Sequence, residues 1–239
     1  MSAVRVAIVD VGANTLRLLV AVPDGPGVVP VHEEKQQLGL GEEVERYGYI
    51  SAAKCAEAVE VAQAQTRRAR RLGCERIEIL VTSPGRQSGN SEEFAEALRR
   101  GTGAPVRILS SEEEGALAWS GAVASLESPA ESIAVCDVGG GSAQLGLAAG
   151  GTARALRRVT ATFDADGLAA VIEALAGLKR SKISKRYGIP PQRAATLLAG
   201  TILLAEAQRR LGLPLGVAEG GLREGSALAL FRESVAAYA

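Results

Sequence analysis

Two segments of the sequence, one at the start and one in the middle, follow the same pattern of residues. Each has an apolar run, at 6–9 or 133–136, then an aspartate, a glycine-containing turn with a hydroxyl residue, and a second apolar run. Two apolar runs joined by such a turn predict a β-hairpin with a polar tip. When the segments are superposed, Asp10 aligns with Asp137, Gly12 with Gly139, Thr15 with Ser142 and Leu18 with Leu145.

The repeated pattern can be explained in two ways. A glycine-rich turn is often purely structural, and neither copy matches the dinucleotide-binding fingerprint or the lysine-containing phosphate loop. An aspartate at the end of a buried strand, however, costs free energy unless a cation or hydrogen-bond donor meets it, and this arrangement occurs twice. Two such tips facing each other would offer carboxylates to a divalent cation and backbone N–H groups to phosphate. The repetition favours this shared site.

The composition limits the chemistry that the chain can perform. Lys and Arg together number 27, as do Asp and Glu, so the formal net charge is zero and no overall field attracts nucleic acid or an anionic membrane. His32 is the single histidine, which disfavours a zinc centre or a Ser-His-Asp triad. Three cysteines at unrelated spacings indicate neither a disulfide framework nor a thiolate metal site. Carboxylate and Mg²⁺ chemistry remains.

The sequence also carries an expectation about location. Its first residues lack the layout of a signal peptide, and no apolar run approaches the roughly 20 residues that cross a bilayer. We expect a cytoplasmic protein with no nucleic-acid partner and no membrane partner.

The order of the predicted elements indicates an α/β protein made of two halves. The first hairpin is followed by a strand over 28–37, a loop over 38–50, a helix over 51–72, a strand over 76–81, a loop over 82–90, a helix over 91–100, a strand over 106–109 and a helix over 110–124. The second hairpin is followed by a strand over 152–159, helices over 164–178, 190–198 and 201–211, a strand over 213–218 and a helix from Leu222. A proline among small polar residues at 126–130 marks the break, so the predicted domains are 1–125 and 126–239.

The helix predicted over 51–72 ends in four arginines, which are Arg67, Arg68, Arg70 and Arg71. Cations in the last turn interact favourably with the helix dipole, so a solvated helix end explains them. A track for a polyanionic substrate is the alternative, and the sequence leaves both open.

Three consecutive glutamates follow Ser111 at the start of the next helix. Serine at the cap with Glu114 three residues later is a capping box, and acidic residues are favoured at a helix N-terminus. Three carboxylates nevertheless exceed what a cap needs. One of them could act as a general base for water if this helix start opens on the cleft.

Six motifs occur in a fixed order along the chain: Asp10-Val-Gly-Ala-Asn-Thr15, Thr82-Ser-x-x-Arg86 with Asn90, Glu112-Glu-Glu-Gly-Ala116, Asp137-Val-Gly-Gly-Gly-Ser142, Ala199-Gly-Thr-Ile-Leu203 and Gly221-Leu-Arg-Glu-Gly225. Together, over about positions 4 to 232, they resemble the exopolyphosphatase/guanosine pentaphosphate phosphohydrolase family of the acetate kinase, sugar kinase, heat-shock protein and actin superfamily. The resemblance implies an α/β fold of two ribonuclease-H-like domains, each a mixed sheet flanked by helices, with the active cleft between them. It further implies Mg²⁺, with Mn²⁺ as an alternative ion, and a homodimer. The implied reaction removes the terminal phosphate from polyphosphate or guanosine pentaphosphate.

The resemblance also assigns roles to residues. Glu114 corresponds to the family's general base, and Asp10 and Asp137 correspond to its Mg²⁺-associated carboxylates. The corresponding phosphate-binding residues are Gly12, Asn14, Thr15, Arg86, Gly139, Gly140, Gly141 and Ser142. These roles agree with in-line attack of water on a terminal phosphoryl group whose charge is offset by a cation, turn amides and a guanidinium.

Three features depart from the usual pattern of the family. Ala13 stands where serine is usual and Gln144 where glutamate is usual, so a hydroxyl and a carboxylate are missing. The chain is also short between 160 and 190 and lacks the C-terminal helical extensions of longer members, so channelling of long chains is not expected. The departures keep open a regulatory member that binds polyphosphate or a nucleotide without hydrolysing it. A phosphotransferase of the same superfamily is a further alternative.

Overall fold

The computed structural model describes residues 4–126, 135–138, 143–146, 164–212 and 215–236, with the backbone alone for 136–138, 143–146, 192 and 235–236. The strands are β1 (Val6–Val11), β2 (Thr15–Asp24), β3 (Gly27–Gln37), β4 (Arg76–Val81), β5 (Val106–Ile108), β6 (Val135–Val138) and β7 (Ala143–Gly146). The helices are α1 (Leu40–Tyr47), α2 (Ala52–Arg71), α3 (Ser83–Gln87), α4 (Ser91–Thr102), α5 (Ser111–Ala124), α6 (Ala165–Ala176), α7 (Arg180–Tyr187), α8 (Pro191–Leu211) and α9 (Leu222–Ala236).

The first half is built on a five-stranded mixed sheet with the order β3-β2-β1-β4-β5. Strands β1, β2 and β3 form an antiparallel meander, whereas β4 and β5 run parallel to β1. Parallel neighbours need crossover connections, and here these are the helices between β3 and β4 and between β4 and β5. The predicted mixed α/β class is confirmed.

Alternation along β1 separates two apolar cores, because successive side chains of a strand point to opposite faces. Ala7, Val9 and Val11 belong to the core that also contains buried residues of α2 and α4. Val6 and Ile8 belong to a second core with α9. Asp10 continues the Val6 and Ile8 series, so the site aspartate lies on the face covered by α9.

The last helix therefore returns to the first sheet. Ala227, Leu230 and Phe231 of α9 pack into the same core as Val6 and Ile8. Arg76 at the start of β4 pairs with Glu233 at 2.8 Å. The division into domains 1–125 and 126–239 stays a prediction, and α9 contacts the sheet of the first.

Glycines allow α5 and α9 to touch backbone to backbone. A Cβ atom placed on Gly121 of α5 would overlap the backbone of Gly221 and Gly225, and one placed on Gly225 would overlap the carbonyl of Leu117. The close contact therefore depends on the missing side chains and fixes α9 along α5.

In the second half, β6 and β7 form the predicted second hairpin, which repeats the register of the first. Asp10 is the strand partner of Arg17, and Asp137 is the strand partner of Gln144. Both pairs are seven residues apart, and Val11 with Leu16 likewise matches Val138 with Ala143. The strand predicted over 152–159 lies outside the described residues. Helices α6, α7 and α8 share a separate apolar core.

Several predicted elements were wrong. The expected loop over 38–50 contains α1, because Gly39 and Gly48 adopt positive φ at its two ends and so delimit a short amphipathic helix around buried Leu40. The expected loop over 82–90 contains α3. The two helices predicted over 190–211 form a single helix, α8. Helix α7 was not predicted, and residues 215–218 do not form the predicted strand. The apolar spacing along 51–72 predicts a buried stripe of Ala52, Cys55, Ala56, Val59 and Ala62. In α2 the buried alanines are Ala58, Ala62 and Ala69, whereas Ala52 and Ala56 are exposed.

The arginines at the end of α2 belong to a helix that packs on the face of the sheet opposite to Asp10. Arg5, which precedes β1, donates to the carbonyl of Leu72, whereas Asp10 is near the other end of that strand. Arg68 pairs with Glu34 at 3.2 Å, and Arg70 donates to the carbonyl of Thr102. These contacts favour the helix-end explanation over a substrate track.

In the described part of the chain, none of the helices combines the length and the hydropathy that crossing a membrane requires.

Replacing Gly121 or Gly225 with alanine is expected to lower the free energy of unfolding by about 2 kcal/mol or more, because the added methyl group meets backbone rather than a flexible side chain. Helix propensity alone would favour alanine by about 1 kcal/mol, so the clash decides the sign. Urea unfolding measures the effect.

Gly177 is the matched control, because a Cβ atom there meets nothing within 4 Å. Gly177→Ala is expected to change stability by less than about 0.5 kcal/mol. Equal effects at Gly121 and Gly177 would contradict the close contact.

Candidate active site

The polar residues of the first half collect at one edge of the sheet. Strands β1, β4 and β5 are parallel, so their carboxyl ends meet there, as at many ligand sites of α/β proteins. Asp10 lies near the end of β1, Thr82 directly follows β4, and Ser110 follows β5 shortly before Glu114. The Thr82 hydroxyl donates to the Val11 carbonyl at 3.2 Å, which joins the first two of these strand ends.

Asp10 is a carboxyl group that its surroundings make difficult to ionise. Its pKa is raised to about 6, mainly by burial, and the neighbouring charges of Glu114 and Glu224 contribute in the same direction. The cations Arg17 and Arg223 act in the opposite direction. The remaining bias towards protonation means that an added cation beside Asp10 would stabilise its carboxylate.

Glu114 is one turn inside α5, and it is not the capping residue that the sequence suggested. The capping box is formed one residue earlier, by Ser110 and Glu113: the Glu113 N–H donates to the Ser110 hydroxyl at 3.1 Å, and Glu113 accepts from the Ser110 N–H at 2.8 Å. Glu113 also pairs with Arg107, which favours this register. Because Glu113 makes the cap, the side chain of Glu114 is available for a different role.

That side chain is buried and forms an ion pair with Arg86. The Arg86 Nη1 atom lies 2.9 Å from Glu114 Oε2 and donates to the Leu109 carbonyl at 2.6 Å. The side chains of Arg86 and Glu114 are 19% and 9% exposed. The guanidinium thus ties α3 to the start of α5 and fixes one oxygen of the carboxylate. Arg86 was predicted to contact phosphate, and in the structure it contacts the predicted base.

The approach of Arg86 depends on the short helix α3. Pro84 suits the first turn of a helix, because backbone N–H groups in that turn have no acceptor within the helix and proline has no N–H to leave unpaired. Gly85 is buried, and a Cβ atom on it would overlap Val81, so glycine lets α3 pack closely on the end of β4. Asn90 accepts from the Ile50 N–H and donates to the Ile50 carbonyl, which anchors the end of the same loop.

The turn of the first hairpin is held by its own backbone. The Gly12 N–H donates to the Thr15 carbonyl at 3.0 Å, so this amide is engaged within the turn. The carbonyl of Asn14 accepts from Leu38 and Gly39, and that of Ala13 accepts from Gly41. The turn predicted to hold phosphate is therefore fixed to the start of α1. Its phosphate contacts stay a prediction.

The sequence analysis missed several cations at this edge. Arg17 and Lys35 are strand partners across β2 and β3, and Arg17 is also the partner of Asp10. Burial lowers the pKa of Lys35, and the positive charges of Arg17 and Arg193 lower it further, which places Arg193 of α8 near the same row. Arg17 could have been found from the sequence, because it is a single cation within a largely apolar predicted strand.

Arg223 was also missed, although its motif was recognised. It is buried in α9, where it pairs with Glu33 at 2.8 Å and lies 3.6 Å from Glu224. Glu224 accepts from the Gly221 N–H at 2.9 Å, so it caps the start of α9. Both charges act on Asp10. The start of α9 is therefore part of the electrostatic surroundings of the site.

The structure brings together Asp10, Gly12, Thr15, Arg86 and Glu114. It describes the backbone of Asp137 in β6, whereas Gly139, Gly140, Gly141 and Ser142 lie outside the described residues. The joint site of two hairpin tips stays a prediction.

The residues around Asp10 fit a hydrated Mg²⁺ ion. This ion is usually bound by one or two carboxylates together with substrate phosphates and water. Asp10 supplies an oxygen ligand whose pKa is raised mainly by burial, and a bound cation would offset that cost. Among the described residues, no group of three or more His, Cys, Asp or Glu side chains is arranged to hold a metal.

The fold is similar to that of several solved structures. A member of the Ppx/GppA protein family from Aquifex aeolicus superposes with a TM-score of 0.83 at 20% identity, covering 97% of this chain and 98% of that chain. An exopolyphosphatase from Cytophaga hutchinsonii gives a TM-score of 0.74 at 15% identity, covering 96% and 98%. At these identities the likeness shows the fold alone.

Curated relatives match part of the sequence. Exopolyphosphatase 1 of Mycobacterium leprae is 28% identical over 142 residues, which are 59% of this chain and 42% of that protein. An uncharacterized protein of Streptomyces coelicolor is 30% identical over 146 residues, which are 61% of this chain and 44% of that protein. The chain thus covers less than half of the length of these relatives.

The model of the Ppx/GppA phosphatase family matches residues 19–159, more than half of the chain, and this match agrees with the fold. The chain belongs to the Ppx/GppA phosphatase family.

Proposed function

We propose that the chain is a Mg²⁺-dependent phosphohydrolase that removes the terminal phosphate from inorganic polyphosphate, guanosine pentaphosphate or both. The observation that carries the proposal is the buried Glu114 carboxylate, which Arg86 orients beside Asp10. Polyphosphate as the substrate is supported by matched relatives that are exopolyphosphatases. A cytoplasmic location, a homodimer and Mn²⁺ as an alternative ion are parts of the same proposal.

In the proposed reaction Glu114 accepts a proton from a water molecule as the water oxygen attacks the terminal phosphorus. The bond between that phosphorus and its bridging oxygen breaks, and the shortened chain leaves with the bridging oxygen. Arg86 acts as a positioning residue, because it holds one Glu114 oxygen and leaves the other to face the water. Arg17 and Lys35 supply positive charge towards the phosphate oxygens. Mg²⁺ bound at Asp10 would supply further charge of the same sign.

A second candidate is a member that binds polyphosphate or a nucleotide and does not hydrolyse it. It is favoured by Gln144, a neutral residue that is the strand partner of Asp137 where the family usually has a carboxylate. Ala13 removes a hydroxyl from the other turn. This candidate predicts tight binding with negligible release of phosphate.

One assay separates the candidates. Phosphate release is measured with Mg²⁺ from tripolyphosphate, long-chain polyphosphate and guanosine pentaphosphate, beside transfer from ATP to acceptors. Turnover of any of the three supports the hydrolase. Binding without turnover supports the regulatory member, and transfer from ATP would replace both with a phosphotransferase.

Glu114→Gln is expected to lower kcat by about 100-fold with little change in substrate binding, because the amide cannot accept the proton. Glu112→Gln is the matched control, since Glu112 is an exposed carboxylate in the same helical turn. Phosphate release measures both. Unchanged turnover in Glu114→Gln would remove this residue from the mechanism.

Arg86→Gln is expected to lower the free energy of unfolding by about 2 kcal/mol, because it leaves a buried carboxylate without its cation. The double variant Arg86→Gln/Glu114→Gln is expected to recover part of that loss, since the unpaired charge is gone. Urea unfolding of the wild type, the two single variants and the double variant gives the coupling free energy between Arg86 and Glu114. Strictly additive losses would show that the pair does not interact.

Gln144→Glu is expected to raise turnover at limiting Mg²⁺, because it restores a carboxylate at the strand position opposite Asp137. Turnover is measured against Mg²⁺ concentration, with Gln144→Ala as the comparison. If Gln144→Glu leaves the Mg²⁺ dependence unchanged, the missing carboxylate does not limit the metal site.

A further inference from the structure

The positive charge of the second half is concentrated in one short helix. Between Glu173 and Glu206 the sequence has no Asp or Glu, and it has six cations, which are Lys179, Arg180, Lys182, Lys185, Arg186 and Arg193. Five of the six lie in α7 or at its N-cap. A protein with a formal net charge of zero thus carries a strongly basic surface at one place.

Helix α7 presents these cations to solvent. Ile183 is buried in the core that α7 shares with α6 and α8, and this contact fixes the orientation of the helix. Lys182, Lys185 and Arg186 are exposed and are spaced three and four residues apart, so they lie on one face. We call these three residues the α7 basic face.

Of the five α7 cations, Lys185 and Arg186 are in the last turn, where they suit the helix dipole, and the other three do not help α7 to form. Lys179 and Arg180 occupy the start of the helix, where the dipole disfavours cations, and like charges three or four residues apart repel. Among the described residues none of the five α7 cations has an ion-pair partner. By contrast, Arg209 and Arg210 at the end of α8 both pair with Glu206. The stability of the helix therefore does not account for Lys179, Arg180 and Lys182.

The α7 basic face is followed directly by a cation of the candidate site. Arg193 lies in the first turn of α8 and acts electrostatically on Lys35 together with Arg17. Arg193 is seven positions after Arg186, so their Cα atoms are at most about 25 Å apart. Positive charge thus extends from the row beside Asp10 to the surface of α7.

We infer that the α7 basic face binds the distal phosphates of a long inorganic polyphosphate chain while its terminal phosphate lies beside Asp10 and Glu114. The inference rests on the proposed function, and it gives the same site a preference for long chains. It differs from the expectation drawn from the missing C-terminal extensions, because the distal phosphates would lie on the surface of α7 and not in a channel. Repeated cations without acidic neighbours match a polymer that carries negative charge at every unit.

Inorganic polyphosphate fits this face better than nucleic acid does. Proteins that bind single strands combine basic side chains with exposed aromatic rings on which bases stack. The aromatic residue of α7, Tyr187, is only partly exposed, and the Arg186 guanidinium lies over its ring at 5.4 Å. The α7 basic face offers contacts to phosphate and no open ring to a base.

The test removes the three charges and compares substrates of different length. In Lys182→Gln/Lys185→Gln/Arg186→Gln, KM for long-chain polyphosphate is expected to rise about 10-fold or more, with kcat unchanged and KM for tripolyphosphate unchanged. The slope of log affinity against log salt for the long chain is expected to fall by about 2. An equal rise for both substrates, or no rise, would overturn the inference.

The matched control is Arg67→Gln/Arg68→Gln/Arg71→Gln, which removes the same charge from the end of α2, a helix on the face of the sheet opposite to Asp10. This control is expected to leave KM for long chains unchanged, and an equal effect there would overturn a local role of α7. Circular dichroism checks that both variants fold, and Lys182→Gln alone is expected to give a smaller change in the same direction.

Direct binding separates this inference from the proposed function. Long-chain polyphosphate is titrated into each protein without Mg²⁺, and single-stranded RNA of equal phosphate number is the competitor. If the α7 variant no longer binds long-chain polyphosphate, the inference is supported. This holds even if the wild-type protein releases no phosphate, a result that would overturn only the proposed hydrolase activity. Equal competition by RNA would replace polyphosphate with nucleic acid as the ligand.

Discussion

The backbone contact between α5 and α9 is the constraint on which the candidate site depends. Gly121 and Gly225 allow the two helices to approach until their backbones touch. One helix begins near the site with Glu114, and the other begins near it with Arg223 and Glu224. Because the two axes are fixed against each other, the charges at their starts are fixed relative to Asp10. The packing of the two helices thus controls the geometry of the candidate site.

The candidate site contains carboxylates and cations close together. The carboxylates differ in how far nearby cations and hydrogen-bond donors stabilise their negative charge. Glu114 is paired directly with Arg86, and Glu224 is hydrogen bonded to the Gly221 N–H. Asp10 has cations near it, but burial and two carboxylates outweigh them and raise its pKa to about 6. In the proposed reaction this unequal distribution separates Glu114, the proposed base, from Asp10, a carboxylate suited to a cation. It is the arrangement that phosphoryl transfer requires, since positioning and charge supply most of its catalysis.

Strong local patterns were predictable from the sequence, and contacts between distant segments were not. The hairpins, α2 and α5 follow from apolar periodicity and capping residues. Helix α1 was missed because its flanking glycines were interpreted as a loop, although Gly39 and Gly48 are the ends of the helix. The cap of α5 was misplaced by one residue because Ser110 and Ser111 can both cap. Arg86 was recognised but its partner was not, since Glu114 is 28 residues away.

The return of α9 to the first sheet determines when the protein can finish folding. During synthesis, the strands that contain Val6 and Ile8 leave the ribosome long before residues 222–236, which cover them. The pair between Arg76 and Glu233 joins residues 157 positions apart. Such distant contacts form slowly, and an uncovered apolar face is prone to association. The nascent chain therefore carries an open hydrophobic surface until residues 222–236 have been synthesised.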